Sequence, residues 1–398
     1  MTQPPPTPNG LNQTLLATIT SLENLAYSTP YLLHDKDHLR KRLYNAVHKL
    51  LPEIETPTEM AQRLLYTPCE MMGAKIGIDM GVFEILAKSE KPLSTEEVAR
   101  LCDVEMGMTV RLLRFLGSLG MVREMDGEED GQFWGPSNRT RNLAMREIAA
   151  GVNHKHDNVM PAWHALPSWL RRRGYTVPIM TTDTPFAQGH GVEPQQSFYD
   201  WLQERPWNAN EFNLFMRVHR LGVQSWMDLE ERYAFVDVGG GIGLQSKALV
   251  QRYPNTFHGK IILQDLPEVI AKAHTENSGI NVMAVDFFKS QPVTNAKIYY
   301  LRSILRNWPD PQALLILSHI HAAMSSSSHL IIDDIVLSDK NASKYETQLD
   351  MTMLAMLNGQ ARTESHFRQL LEEAGLCVDK VLVYESEGRE AVVVARKA

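Results

Sequence analysis

The stretch FVDVGGGIG, at residues 235–243, limits the possible fold of this chain more than any other feature. Apolar residues lead to Asp237 and Val238, four glycines follow within five positions, and the helix-like run LQSKALVQRY comes next. Glycines let a backbone approach a ligand closely, and free N–H groups at the start of a helix favour a negatively charged group. The stretch therefore predicts a strand, a ligand-binding glycine turn (residues 239–243) and a helix, with a simple tight loop as the alternative.

A second acidic residue supports the ligand-binding interpretation. Asp265 lies 22 positions after Gly243, at the end of the apolar run KIILQD, where a Rossmann-like unit places the carboxylate that binds a ribose. Strand-like and helix-like segments alternate from there to the C-terminus, which predicts an α/β fold with a mostly parallel sheet covered on both faces. The seven strand candidates are YAFVDV, KIILQD, INVMAVD, KIYYLRS, HLIIDDIV, VDKVLVY and EAVVVAR. Only ESEGRE separates the last two, so we expect them to form an antiparallel hairpin.

Length and composition limit the class of protein. The chain has 398 residues, 43% of them hydrophobic and 22% charged, which indicates a soluble globular protein of two or three domains. Its net charge of −7 argues against a nucleic-acid surface. The three cysteines are widely separated, so we expect neither disulfides nor a metal site. The chain has no signal peptide and no apolar run long enough to span a bilayer, which makes a cytoplasmic location the expectation.

The sequence before the Rossmann-like domain, which we place at residues 230–398, divides into three parts. Residues 1–55 combine a polar, proline-rich tail with helices that have little around them, and we expect these helices to pack in a dimer. Residues 56–135 contain the helix-like run 58–87 and then a winged-helix-like succession of elements. Residues 136–229 are largely helical, aromatic and interrupted by prolines, which is typical of a segment that lines a substrate pocket.

The winged-helix-like part has one clear local signal. Ser94 is followed three residues later by Glu97, the pattern of a helix capping box. The second helix of this part holds only Arg111 and Arg114 as cations, too few for the phosphate contacts that dominate DNA affinity. We therefore favour a dimerisation module over DNA binding.

Several linked motifs resemble the class I S-adenosylmethionine-dependent O-methyltransferases, in the subgroup shared by plant small-molecule enzymes and fungal secondary-metabolism proteins. The motifs are DVGGGIG, QDLP, VDFF, LRSILRNWPD and GQARTESHF, in that order. The resemblance implies S-adenosylmethionine (SAM) as the cofactor, a seven-stranded Rossmann-like domain with an antiparallel last strand, a winged-helix dimerisation domain and a homodimer.

The same resemblance assigns cofactor contacts. The backbone of the glycine turn would hold the methionine part of SAM, Asp265 the ribose, Asp286 and Phe287 the adenine, and Arg302 stands where a lysine usually touches the cofactor. Helix capping is an equal alternative for Asp286 alone, and core packing is the alternative for Phe287. The predicted cofactor-binding residues are Gly239, Gly240, Gly241, Asp265, Leu266, Asp286, Phe287 and Arg302.

The residues of the reacting group depart from the family pattern. The family usually has the histidine of an H-D-W motif, which removes a substrate proton, where this chain has Arg306 and Asn307 before Trp308. Arginine is effectively always protonated, so it cannot accept that proton. Asp334 and Ala361 stand where two glutamates usually orient the histidine. The combined loss predicts a changed reaction, with drift in a retired enzyme as the alternative.

Arg306 offers different chemistry. Its five N–H donors and permanent charge would stabilise negative charge developing on a carbonyl oxygen. This pattern resembles the fungal methyltransferase-like pericyclases, in which a cation replaces the base and SAM is retained. That resemblance implies a polyketide or pyridone alcohol that is dehydrated to a quinone methide before a hetero-Diels–Alder or Alder-ene reaction. The alternatives are an O-methyltransferase acting on a small aromatic hydroxyl and a non-catalytic SAM-binding scaffold.

The helical segment supplies the remaining candidates. The pericyclases also use a histidine, and His154 and His156 are two residues apart, so they point to different faces of a helix. We prefer His156 by resemblance, with a structural histidine as the alternative. The predicted catalytic residues are Arg306, Asn307, His154 and His156. The predicted substrate-pocket residues are Met216, Phe212, Arg217 and Trp163, with core packing or a solvated helix charge as the alternatives.

Overall fold

The structure is a computed structural model. It describes residues 15–25, 36–125, 132–218, 235–275, 278–385 and 390–398. The chain divides into two compact units, residues 1–145 and 146–398. Within the described ranges, no helix has the length and apolar character needed to cross a membrane.

The first unit is mainly helical and contains one small antiparallel sheet. Its elements are α1 (15–25), α2 (Asp37–Ile54), α3 (Pro57–Asp79), α4 (Val82–Lys88), β1 (Leu93–Ser94), α5 (Thr95–Cys102), α6 (Met106–Ser118), β2 (Arg123–Met125), β3 (Phe133–Gly135) and α7 (Asn138–Leu143). The sheet has the order β1-β3-β2. Strand β1, the helices α5 and α6, and the following strands β2 and β3 form the winged-helix arrangement expected from the sequence.

Local sequence signals explain two boundaries in this unit. The predicted capping box starts α5, because the Ser94 hydroxyl accepts the Glu97 N–H at 3.2 Å and the Glu97 carboxylate accepts the Ser94 N–H at 2.8 Å. The helix-like run 58–87 is two helices instead of one. Gly81 separates them with a left-handed φ of 74°, a conformation that interrupts helical geometry and that glycine adopts at little steric cost.

The second unit joins a helical segment to one large sheet. The helical segment contains α8 (Arg146–His154), a π-helical turn (Lys155–Val159), α9 (Met160–Arg172), α10 (Pro185–His190), α11 (Phe198–Gln203) and α12 (Pro206–Val218). The sheet region contains β4 (Phe235–Val238), α13 (Leu244–Arg252), α14 (Pro254–Phe257), β5 (Ile261–Asp265), α15 (Pro267–Ile270), β6 (Ile280–Ala284), β7 (Ile298–Arg302), a 3-10 turn (Leu305–Asn307), α16 (Asp310–Ala323), β8 (His329–Leu337), α17 (Lys344–Leu357), β9 (Arg362–Thr363), α18 (Glu364–Glu373), β10 (Leu376–Glu385) and β11 (Glu390–Lys397).

The sheet has the order β10-β11-β8-β7-β4-β5-β6, and short β9 pairs with the end of β8. Strands β4 to β8 run parallel to one another, whereas β11 is antiparallel to both β8 and β10. The seven predicted strands and the C-terminal hairpin are therefore confirmed. The strand order reverses between β4 and β7, and ligands of such sheets bind at the carboxyl edge beside that reversal.

Side chains of the central strands alternate between the two faces of the sheet. One face packs against α16 and α18 and buries Val236 and Leu301. The other face packs against α13 and α14 and buries Phe235. The alternation places Asp333 and Asp334, which are adjacent in β8, on opposite faces of the sheet.

Candidate active site

The glycine turn lies at the carboxyl edge of the sheet. Gly239 and Gly241 adopt left-handed φ angles of 69° and 63°. Gly240 does not, but a Cβ atom there would lie 2.5 Å from both Asp237 Cγ and Leu263 Cδ1. Each of the three predicted glycines thus excludes a side chain for a geometric reason, which leaves the turn open to a ligand.

Asp265 lies beside the glycine turn at the end of the neighbouring strand. Its Oδ2 accepts the Gly241 N–H at 2.8 Å, and its Oδ1 accepts the Leu266 N–H at 2.8 Å. These bonds fix the carboxylate next to the glycines. The carboxylate thus lies at the edge where ligands of such sheets bind.

Asp286 and Phe287 follow the next strand, β6. The Phe287 ring would lie 3.3 Å from a Cβ atom at Gly239, so it borders the glycine turn. The Asp286 carboxylate accepts the Phe288 N–H at 3.0 Å and lies 3.6 Å from the Lys289 ammonium. Phe287 thus lies against the turn, while Asp286 also holds its own loop.

Arg302 belongs to a buried polar network on the face of the sheet opposite Asp334. Its guanidinium lies 2.6 Å from the Asp333 carboxylate, which also accepts the Tyr300 and Tyr384 hydroxyls at 2.6 and 2.8 Å. Burial, and then the charge of Asp333, raises the pKa of both tyrosines. The Arg302 side chain is only 9% exposed. Its guanidinium is therefore engaged in holding β7 and β8 together.

The 3-10 turn Leu305–Asn307, here named the arginine turn, carries the predicted reacting group. Arg306 Nη1 lies 3.5 Å from Asp334 Oδ1, and the Arg306 backbone N–H donates to Asp334 at 3.4 Å. Burial raises the pKa of Asp334, although Arg306 acts in the opposite direction. The Arg306 side chain is 18% exposed. Among the described residues its Nε is buried and has no hydrogen-bond partner. The guanidinium is held on one side by Asp334, and part of the side chain remains accessible.

A second arginine holds the arginine turn in place. Arg362, which is completely buried, donates to the carbonyl oxygens of Leu305 and Trp308, both at 2.8 Å. These carbonyls flank Arg306 and Asn307. The position of the arginine turn therefore depends on a buried cation.

Asp310 neutralises this buried cation. Its Oδ1 accepts Arg362 Nε at 2.9 Å, and its Oδ2 lies 2.9 Å from His366 Nε2. The hydrogen bond with His366, and then the charge of Arg362, lowers the pKa of Asp310 to about 2.

Ala361 has no carboxylate with which to orient Arg306, and its N–H donates to Asp350 at 2.9 Å.

His154 is the buried histidine of the candidate pair. It ends α8, is 5% exposed, and packs at ring-centroid distances of 6.1, 5.2 and 5.7 Å against Phe198, Phe212 and Phe215. We name these four residues the aromatic cluster. The Asn158 amide nitrogen lies 2.8 Å from His154 Nδ1, which fixes the orientation of the ring.

His156 lies in the π-helical turn and is the more accessible of the two. Its side chain is 35% exposed, and its Nδ1 lies 2.6 Å from the Asp157 carboxylate. The neighbouring residue, Lys155, is half-buried, and burial lowers the pKa of its amine to about 8. Burial therefore makes this amine easier to deprotonate than an ordinary lysine, at a position that was not predicted from the sequence.

The remaining substrate-pocket candidates lie in the same helical segment. Phe212 and Trp163 pack against the core around Val159, and Met216 is half-buried in α12. The Arg217 side chain lies outside the described part of the structure. Within the described residues, no group of three or more His, Cys, Asp or Glu side chains is placed to hold a metal ion.

Comparison with known proteins identifies the family. Residues 169–377 match the family model for the O-methyltransferase domain, and residues 69–146 match the O-methyltransferase dimerisation domain. The chain belongs to the O-methyltransferase family. It is 33% identical to the O-methyltransferase lepI of Aspergillus flavus, over 94% of this chain and 96% of the relative. It is 32% identical to the O-methyltransferase ucdC of Aspergillus ustus, over 91% and 95%.

Solved structures resemble this O-methyltransferase-family protein over nearly its full length. One described as a pericyclic reaction enzyme has a TM-score of 0.82 and 33% identity, and covers 97% of this chain and 100% of its own. A structure of LepI in complex with SAM has the same TM-score, identity and coverage. A relative with SAM and a relative with pericyclic activity are therefore both similar to this protein.

Two residues that contact the arginine turn were not predicted from the sequence. Arg362 was part of a recognised motif, but its burial depends on carbonyl oxygens more than 50 positions away in the chain. Tyr199 was not singled out, because nothing in FYDWLQ separates it from a core aromatic. In the structure, the Asn307 amide donates to the Tyr199 hydroxyl at 3.3 Å and to the Ser303 carbonyl at 3.1 Å.

Proposed function

We propose that this O-methyltransferase-family protein binds SAM and catalyses the dehydration, the pericyclic cyclisation, or both, of a polyketide or pyridone alcohol without transferring a methyl group. One observation carries the proposal: the residue at the position of the family's proton acceptor is Arg306, which cannot accept a proton. Its guanidinium is paired with buried Asp334 and remains partly accessible. The similarity to LepI and to a pericyclic reaction enzyme supports the same reaction class.

The residues at the carboxyl edge suit SAM. The glycine turn excludes side chains, and Asp265 is oriented to accept the ribose hydroxyls, with Leu266 beside it. Phe287 would offer an aromatic face to the adenine, and Asp286 a carboxylate at its edge. When bound, SAM would supply a sulfonium charge at this edge. We propose that Arg302 supports the cofactor site through its ion pair with Asp333.

Arg306 would bind a substrate carbonyl oxygen through its N–H donors. In dehydration, a proton from the ring hydroxyl and the alcohol hydroxyl leave together as water. The contact with Arg306 would be strongest while the ring oxygen carries the negative charge left by its proton, and again where a carbonyl oxygen gains electron density as the ring closes. Asp334 holds the guanidinium from the buried side, so little reorganisation is needed during the reaction. Asn307 lies next to Arg306 and offers a second amide contact.

We propose His154 as the histidine of the reaction, in place of the His156 preferred from the sequence. The His154 ring packs against Phe198 and Phe212, and both of these rings lie against Tyr199, which binds Asn307. His156 has no such connection to the arginine turn among the described contacts. Its accessible position beside Asp157 suits a structural hydrogen bond.

A non-transferable cofactor analogue tests the proposal. The protein is incubated with pyridone alcohols and either SAM or an analogue that carries an ammonium group in place of the methyl sulfonium. We expect the same dehydrated or cyclised product with both cofactors, because the charge is kept and no methyl group is needed. A product that forms only with SAM and carries an extra methyl group would exclude the proposal.

A second candidate function is O-methylation of a small aromatic hydroxyl, supported by the match of residues 169–377 to the O-methyltransferase domain, with Lys155 as a candidate base. An amine with a pKa of about 8 can accept the proton of a phenol, which Arg306 cannot do. A relative, demethylsterigmatocystin 6-O-methyltransferase of Aspergillus flavus, is 30% identical over 89% of this chain and 92% of its own. Methyl transfer that is lost in Lys155→Met and kept in the surface variant Lys344→Met would establish this function.

We also propose that the protein is a homodimer. The described helices α2 and α3 expose large apolar side chains, among them Leu50, Ile54, Leu64, Leu65 and Tyr66, and patches of this kind mark association surfaces. The match to a dimerisation domain supports the same conclusion. Sedimentation equilibrium should give twice the mass of the chain, and Leu64→Glu together with Leu65→Glu should shift the protein toward a monomer.

A further inference from the structure

Tyr199 connects two parts of the proposed site that come from distant segments of the chain. Its hydroxyl accepts the Asn307 amide at 3.3 Å, so it is tied to the arginine turn. Its ring lies 5.4 Å from Phe198 and 6.5 Å from Phe212, measured between ring centroids. The contacts continue from Phe212 to His154 at 5.2 Å. Arg306 and His154 are therefore joined through one tyrosine.

The geometry of the ring contacts is specific. Tyr199 meets Phe212 edge-on, at an interplanar angle of 73°, and Phe198 meets Phe212 at 85°. Aromatic pairs prefer such edge-to-face arrangements. The rings of Phe198 and Phe212 therefore fix Tyr199 from the side of the aromatic cluster, and Asn307 fixes it from the side of the arginine turn.

Tyr199 is also more accessible than the neighbouring Phe198 ring. It is 40% exposed, whereas Phe198 is 4% exposed. A partly exposed aromatic ring that is already held in place loses little conformational freedom when a flat ligand stacks on it, which favours binding. This combination distinguishes Tyr199 from an ordinary surface tyrosine.

We propose that Tyr199 is a specificity-determining residue that contacts a flat conjugated ring of the substrate and sets how that ring faces Arg306. The inference rests on the proposed function for its substrate class and names the residue that would orient that substrate. The Asn307 bond holds the Tyr199 ring at a fixed position relative to the guanidinium. The substrate carbonyl would then meet Arg306 from one side, and one cyclisation geometry would be favoured over the others.

Two substitutions separate the ring from the hydroxyl. Tyr199→Leu removes the stacking face, and we expect about tenfold weaker substrate binding, since an aromatic pair contributes up to about 1.5 kcal/mol beyond its buried area. Tyr199→Phe keeps the face and loses the bond to Asn307, and we expect about a fivefold effect on kcat/KM. Tyr175→Leu and Tyr175→Phe are the matched controls, because Tyr175 is 70% exposed and lies in none of these contacts.

Three readouts are compared in all four variants: substrate affinity by direct titration, the ratio of product isomers, and SAM affinity. We expect both Tyr199 variants to change the isomer ratio and substrate affinity while SAM affinity stays within about twofold of the unmodified protein. Wild-type substrate affinity and isomer ratio in Tyr199→Leu would overturn the inference. If Tyr199→Leu fails to fold, Tyr199→Gln removes the aromatic face in its place, and an unchanged isomer ratio together with unchanged substrate affinity in Tyr199→Gln would overturn it.

The substrate titration distinguishes a failure of this inference from a failure of the proposed function. If the unmodified protein only methylates its substrate, the proposed function is wrong. Weakened substrate binding in Tyr199→Leu, with no change in Tyr175→Leu, would still support the contact between Tyr199 and a flat ring. Equal binding in both leucine variants would reject it whichever reaction is catalysed.

Discussion

The glycine turn and the arginine turn lie at the carboxyl edge of the same sheet, yet they are built in different ways. The glycine turn is shaped by backbone conformation and by the exclusion of side chains at Gly239, Gly240 and Gly241. The arginine turn is positioned by side chains, because Arg362 binds two of its flanking carbonyls and Asp334 binds Arg306.

The difference shows how a cofactor-binding fold can change its reaction. A site made of backbone groups tolerates few substitutions and keeps its ligand. A site made of side chains can exchange a proton acceptor for a fixed cation while its supports stay in place. In this protein Arg362 and Asp310 hold the arginine turn, and we call this buried pair the clamp. The clamp is present, whereas Arg306 stands where the resemblance places the family's histidine.

The largest expected effect concerns the clamp. Arg362→Ala removes a completely buried guanidinium and leaves Asp310 and two carbonyls without it, so we expect a loss of about 3–5 kcal/mol in the free energy of unfolding. Chemical denaturation measures this loss. Arg368→Ala, a change at an exposed pair in the adjacent helix, is the control and should cost less than about 0.5 kcal/mol. Equal losses in the two variants would show that the arginine turn does not depend on the clamp.

The next effect concerns the residue that the clamp presents. We expect Arg306→Ala to lower kcat by about 100- to 1000-fold, as for the loss of one donor to a developing oxyanion. SAM affinity should stay unchanged, because the glycine turn is separate. Arg306→Lys, which keeps the charge but loses the planar fork, should retain more activity than Arg306→Ala. Full activity in Arg306→Ala would remove the arginine turn from the reaction.

A smaller effect is expected at the glycine turn. Asp265→Asn replaces a carboxylate that binds Gly241 and that we assign to the ribose, so SAM should bind about 10- to 100-fold more weakly, the range for lost charged hydrogen bonds. Isothermal titration measures the affinity. Glu268→Gln, on the exposed face of the next helix, is the control. An unchanged affinity in Asp265→Asn would contradict the assignment of this edge.

The smallest effect is a dependence of stability on pH. The pKa of Asp310 falls from its ordinary value of 3.8 to about 2 in the folded protein. Its stabilising contribution is therefore fully present above about pH 4 and is lost as the pH falls toward 2. The stability difference between the unmodified protein and Asp310→Asn should shrink over this interval. A difference that stays constant between pH 5 and pH 2 would show that Asp310 is not held in its charged form.

Much of the fold followed from the sequence, because its signals are local. Alternating apolar runs predicted all seven strands, and the spacing of Ser94 and Glu97 predicted the start of α5. The break at Gly81 was not predicted, since an isolated glycine in an apolar run is also compatible with a continuous helix.

Less of the site followed from the sequence, because it depends on contacts between distant residues. The glycines and Asp265 were identifiable from their spacing. The contact between Asn307 and Tyr199 joins residues 108 positions apart. The π-helical turn that begins after His154 and contains His156 leaves no distinct pattern in composition. The choice between these histidines could therefore be argued only from burial and ring contacts.

The most direct test of the central claim is the number of methyl groups transferred for each product molecule formed. The protein is given SAM labelled in its methyl group together with a pyridone alcohol, and product and S-adenosylhomocysteine are counted after many turnovers. The account predicts unlabelled dehydrated or cyclised product, with S-adenosylhomocysteine far below the amount of product. One label in each product molecule, matched by an equal amount of S-adenosylhomocysteine, would contradict it.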